Sequence, residues 1–122
     1  MTKTAQTLTE WFSQFGYPVY LESDVPDGAE LPYITIPLKD PEWRKQVSYQ
    51  IMIWGRTTSN LALIQKADAI TGAVGDGVRM PFENGMLILR IDSDTPMQVS
   101  AQDDYRFVRI PFTLNAYHLP GV

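Results

Sequence analysis

Val108-Arg109-Ile110-Pro111-Phe112-Thr113-Leu114-Asn115-Ala116 alternates without a break. A β-strand turns successive side chains to opposite faces, so Val108, Ile110, Phe112, Leu114 and Ala116 form one apolar row predicted to face a core. Arg109, Pro111, Thr113 and Asn115 fall on the reverse side, exposed or in an interface. The same period runs from Val47 to Trp54, with Val47, Tyr49, Ile51 and Ile53 on one face and Ser48, Gln50, Met52 and Trp54 on the other.

Upstream, Ala5, Leu8, Trp11, Phe12 and Phe15 recur at spacings of three and four. That period predicts a helix over about 4–15 with these residues on one face. Gly16 can take the left-handed conformation that ends a helix, and Pro18 prevents its resumption. Val19-Tyr20-Leu21 reads as a short strand, and Pro26-Asp27-Gly28 marks a turn within the segment from Glu22 to Leu31. Tyr33-Ile34-Thr35-Ile36 is a strand bracketed by Pro32 and Pro37. Because proline donates no ladder hydrogen bond, this strand is predicted to be short or at a sheet edge. Lys39 to Lys45 forms a charged, hairpin-like connection.

Beyond Trp54, the residues Thr57, Thr58, Ser59 and Asn60 offer helix N-caps. Leu63, Ile64, Ala67, Ile70 and Val74 then make the buried stripe of a second helix, which Gly72, Gly75 and Gly77 fray and stop. Val78 to Phe82 and Met86 to Ile91 flank Glu83-Asn84-Gly85, where Asn-Gly suits a type I′ hairpin turn. A polar stretch follows from about Asp92 to Asp104. Helix, two or three strands, helix and three strands, with no βαβ repeat, predict an α+β fold. We expect a single domain over residues 1–122: one mixed or mainly antiparallel β-sheet with two helices packed on one face.

Composition narrows the function. A chain of 122 residues is the size of one compact domain. With 44% hydrophobic and 20% charged residues it has globular proportions, which excludes a disordered tail, a fibre or a low-complexity linker. Cysteine is absent, so there is no disulfide framework, thiolate zinc site, iron–sulfur cluster or cysteine nucleophile. The longest aliphatic run, Met86-Leu87-Ile88-Leu89, falls far short of the roughly 20 residues that span a bilayer. The N-terminal residues lack the apolar block of a signal peptide, and a cytosolic origin is expected. Fourteen acids against ten bases give a net charge of −4, which argues against counterion-release binding of nucleic acid. Neither nucleic acid nor a membrane is an expected partner. Glu22, Asp24, Asp27 and Glu30 lie within 22–30 with no base among them and equal the whole acidic excess. The stretch is either a solvated loop or an acidic contact surface for a basic partner.

The search for catalytic or cofactor chemistry finds little. His118 is the only histidine, near the C-terminal end of the sequence, and reads as a surface residue. Asp92-Ser93-Asp94 and Asp103-Asp104 lack the spacing of a calcium loop and read as turn formers. Gly72-Ala73-Val74-Gly75-Asp76-Gly77 follows a helix instead of opening one and carries no Gly-Lys-Ser/Thr, so it is a helix terminus and no phosphate cradle. No catalytic residue, metal ligand or cofactor site is assigned, and no enzyme is expected. The informative residues are aromatic and basic. Trp43 sits beside Arg44 in the charged connection, and Trp54 lies on the strand face opposite the apolar row, just before Arg56. Trp54 is either covered by a helix or the N-terminal segment, or part of an interaction surface, where tryptophan and arginine are enriched. A single sheet with helices on one side leaves its other side to be covered, and neighbouring subunits are the natural candidates.

The order of these features resembles the tail terminator (tail completion) proteins of long-tailed bacteriophages and related neck proteins. The resemblance rests on the N-terminal helix followed by Gly16-Tyr17-Pro18-Val19-Tyr20, and on Leu31-Pro32-Tyr33-Ile34-Thr35-Ile36 after the acidic stretch. It continues in Tyr49-Gln50-Ile51-Met52-Ile53-Trp54, the Thr/Ser-rich cap with the helix from Asn60 to Gly72, and Tyr105-Arg106-Phe107-Val108-Arg109-Ile110-Pro111-Phe112. It implies a homo-oligomeric ring, typically hexameric, that caps the tail tube and offers its other face to the head–tail connector protein. The protein would then belong to the tail or neck of a virion and to the host cytoplasm during assembly. Free strand edges around Tyr33 and Ile51 would pair or be covered at ring contacts. Trp43, Arg44, Trp54 and Arg56 are the expected subunit or partner contacts, with Glu22, Asp24, Asp27 and Glu30 as a partner-facing acidic surface. Two alternatives stay open: another neck or head-completion subunit, and a small ligand-binding α+β domain with a tyrosine-lined pocket.

Overall fold

A computed structural model of the chain describes residues 3–39, 45–56, 61–82, 85–102 and 105–118. In chain order the elements are α1 (Lys3–Ser13), β1 (Val19–Leu21), β2 (Tyr33–Ile36), β3 (Gln46–Gly55), α2 (Leu61–Val74), β4 (Val78–Phe82), β5 (Gly85–Ile91), β6 (Gln98–Gln102) and β7 (Tyr105–His118).

The alternating C-terminal segment becomes the hub of the sheet. β3 runs antiparallel along one side of β7, from Gln46 opposite Asn115 to Gly55 opposite Arg106. β5 and β6 share the other side in succession, β5 against Phe112–His118 and β6 against Tyr105–Arg109. The strand order is β1-β2-β3-β7-β5-β4, with β6 beside β7. Among the described strands only β1 and β2 pair in parallel, so the sheet is mixed. α1 touches β1 and β2 near one end of this order and β4 at the other. The sheet therefore curls around the helices, and its concave side holds the core. This is the α+β architecture expected from the sequence.

Each apolar row reaches that core. Ile51 and Ile53 of β3, Ile110, Phe112 and Leu114 of β7, and Leu8 and Phe12 of α1 are all almost fully buried. Leu63, Ala67, Ile70 and Val74 of α2 join them. Full burial of one such aliphatic or aromatic side chain stabilises by about 1.5–3 kcal/mol. Gly55, at the end of β3, lets α2 approach: a Cβ there would lie 3.0 Å from a Leu63 methyl carbon. Gly55→Ala is expected to lower stability by about 1–3 kcal/mol, measured by urea unfolding, because Leu63 is buried and cannot swing away freely.

Several details differ from the sequence reading. α1 ends at Ser13, two residues early, because its last turn tightens: Phe15 N–H donates to Phe12 O and Gly16 N–H to Ser13 O, three residues back. Lys66 of α2 reaches across, its Nζ 2.7 Å from Phe15 O and 4.5 Å from the Tyr17 ring centre. This ammonium satisfies a carbonyl at the negative end of α1. Lys66→Met, which keeps the stem and removes the charge, is expected to cost about 1–2 kcal/mol in chemical denaturation. Gly72 lies inside α2 and does not fray it. The stop comes at Gly75, which takes φ 53° and whose N–H donates to Thr71 O.

β2 is short, as expected, but is not an edge, since β1 covers it on one side and β3 on the other. β3 around Ile51 likewise lies between β2 and β7, so the free edges expected at Tyr33 and Ile51 are not found there; β1 and β4 end the strand order. The polar stretch contains a strand, β6, held by pairing with the overlong β7. Within that stretch Asp92 is a turn former: its carboxylate accepts from Asp94 N–H and Thr95 Oγ1, at 3.1 and 2.9 Å. Gly85 pairs with Phe82 in the ladder, so it belongs to β5 and not to the turn. Residues 83–84, the caps at 57–60, Asp103-Asp104 and most of the 39–45 connection lie outside the described residues.

Candidate interaction surface

Strand parity places every second residue on the convex side of the sheet, which the core cluster does not include. Two residues mark this side clearly. Phe107 and Ile88 are only 7% and 8% exposed, yet neither belongs to the core cluster. Phe107 packs against the Trp54 ring, and Ile88 lines a cleft with Arg79 and Arg90.

One half of that face is aromatic. Tyr33 pairs with Trp54 across β2 and β3, and Trp54 pairs with Phe107 across β3 and β7. The Trp54 and Phe107 ring centres are 5.1 Å apart, and Tyr20 meets Tyr33 edge-on at 5.6 Å. The indole Nε1–H donates to Thr35 Oγ1 at 3.0 Å. Trp54 is half-buried, on the sheet face opposite the one that the described helices pack against. Beside this row, Arg109 extends from β7 opposite Met52. Its Nη1 donates to Gln98 Oε1 at 3.4 Å and its Nη2 approaches Met52 Sδ at 4.0 Å, both long contacts. A groove of about 390 Å³ runs here, lined among others by Glu22, Lys39, Gln50, Met52 and Arg109.

Arg56 lies just beyond the end of β3 and is exposed. It lines an open cleft of about 490 Å³ with Gly28, Ala29, Glu30 and Leu31. The acidic segment is fully on the surface: Glu22, Asp24, Asp27 and Glu30 are all exposed. Its turn is closed by Ala29 N–H donating to Pro26 O, with Gly28 at φ 76°. Pro26 thus opens the turn and does not occupy its centre, so its fixed φ is not what shapes the bend. The segment distributes its acids: Glu22 shares a groove with Lys39 and Arg109, Glu30 shares a cleft with Arg56, and Asp24 and Asp27 line neither.

Of the eight sequence-predicted residues, Trp54 lies on the aromatic face, Arg56 shares a cleft with Glu30, the acids spread along one segment, and Trp43 and Arg44 lie outside the described residues. Sequence reasoning missed Tyr20, Tyr33 and Phe107. Phe107 was within reach, since counting back from Arg109 by two puts it on the same face; the tyrosines needed the strand register. Among the described residues no group of three histidines or acids could hold a metal ion, and no helix is long and apolar enough to cross a membrane. Among the described residues no tyrosine lines either of these two clefts. The chain matches no protein-family model and no curated protein.

Proposed function

We propose that this protein is a structural assembly subunit that joins copies of itself into a ring, in the manner of phage tail terminators. The observation that carries the reading is the convex sheet face, where Tyr20, Tyr33, Trp54 and Phe107 form a continuous aromatic row that neither helix covers. Tryptophan, tyrosine and arginine concentrate binding energy when a partner excludes water around them. A ring needs a heterologous contact, in which one patch of each subunit meets a different patch of the next and the rotation closes. Such a ring stops a tail tube by occupying its growing end while presenting no equivalent end, and its other face receives the head–tail connector. A net charge of −4 per subunit would let DNA pass the bore without adhering.

The test is native mass spectrometry with negative-stain imaging of the purified chain, alone and mixed with tail tubes. Closed rings, alone or on tube ends, are the expected result. A chain that stays monomeric at high concentration and leaves tube ends bare overturns the reading.

A further inference from the structure

The convex face has a second half, and its chemistry differs. Arg79 of β4 lies opposite Ile88 of β5, and Ile88 lies opposite Asn115 of β7. Arg90, two residues along β5, lies opposite Thr113. Both arginines are exposed and line one cleft of about 400 Å³ with Asp76, Gly77 and Ile88. Gly77 makes room for this arrangement: a Cβ there would sit 3.4 Å from Arg90 Cγ, so the arginine stem lies close over glycine backbone. Among the described residues the cleft holds two guanidiniums against one carboxylate. Beside it, Asn115 is only 4% exposed and its Oδ1 has no hydrogen-bond partner. A buried polar atom left unpaired is costly.

At the opposite end of the strand order, the segment after β1 carries the complementary groups. Asp24 and Asp27 are exposed and line neither the groove of Lys39 and Arg109 nor the cleft of Arg56. We infer that Asp24 and Asp27 of one copy dock against Arg79 and Arg90 of the next, and that this pairing sets the register of the self-assembly contact. The inference rests on the self-assembly reading above and names its two patches. Acid and base sit in two distinct patches, near opposite ends of the strand order, as a heterologous joint requires. Guanidinium forks match carboxylates two oxygens at a time, which fixes orientation as well as attraction. Exposed ion pairs add little binding energy, so their part is to select partner, register and encounter rate, while apolar contacts supply affinity.

The experiment uses two charge-reversed proteins, Arg79→Glu with Arg90→Glu, and Asp24→Lys with Asp27→Lys. All four positions are exposed, and circular dichroism melts check that each protein is folded. By analytical ultracentrifugation each is expected to associate at least tenfold more weakly than the wild type. Alone, one reversed protein brings acid against acid and the other base against base at every joint; mixed in equal amounts they alternate acid against base and are expected to regain association. The protein carrying all four reversals exchanges the signs and regains association, and added salt weakens the wild-type contact. If the wild type assembles and both reversed proteins assemble equally well, the pairing is overturned while self-assembly stands. If both are weakened and the fourfold reversal restores nothing, the pairing is again overturned. A monomeric wild type removes self-assembly and this contact together.

Discussion

Phe112→Ala is expected to lower the unfolding free energy by about 3–5 kcal/mol, the largest loss of any single truncation proposed for this chain. Phe112 has no exposed surface and lies mid-way along β7, opposite Tyr49 of β3 and Ile91 of β5. Its ring centre is 6.0 Å from that of Phe12, so it also ties the sheet to α1. Truncation would open a cavity where sheet and helix meet, and the flanking strands are held by their ladders and cannot collapse into it. Domains of this size are stable by only about 5–15 kcal/mol, so the variant should lie close to its threshold. Urea titration should show a lower midpoint at an unchanged slope. Phe112→Leu keeps most of the volume and should cost about 1.5 kcal/mol or less. A loss below about 1 kcal/mol for the alanine variant would place the core elsewhere.

Trp54→Ala is expected to weaken self-association by 2 kcal/mol or more, about 30-fold, the behaviour of an interface hot spot. The same change removes the ring contact with Phe107 and the hydrogen bond to Thr35. Each of these is worth about 0.5–1.5 kcal/mol to the folded subunit, so some stability is lost as well. The two effects separate in two measurements, the melting temperature and the association constant from sedimentation. Trp54→Phe retains ring area over Phe107 and gives up only the N–H, so it should recover most of the association. A variant whose association stays intact while its stability falls would make Trp54 a residue of the subunit's own architecture, and the aromatic row would lose its assigned role.

Much of the architecture was legible because it is periodic over short distances. β3 and β7 alternate across their lengths, and α1 and α2 repeat at helical spacing, so each shows its buried side without knowledge of its neighbour. β6 was not legible. Its sequence, Gln98 to Gln102, is polar apart from Val99 and Ala101, and Val99 remains 42% exposed. What makes it a strand is the length of β7, which offers a second stretch of ladder after β5 ends. The candidate surface was half legible. Parity put Trp54 and Arg109 on the same type of face, but only the register showed that Tyr33, Trp54 and Phe107 are consecutive neighbours across three strands.

By itself the sequence determined which segments become helices and strands, which side of each is apolar, and that the two helices would share one side of a sheet. These follow from backbone geometry and from water's exclusion of apolar rows, both of which act within one element. The tertiary structure alone decided that β2 is internal, that β7 serves β3, β5 and β6 together, and that Arg79 and Arg90 share a cleft remote in the strand order from Asp24 and Asp27. Strand partners are chosen by which rows can be buried together across a curled sheet, and that choice depends on residues far apart in the chain.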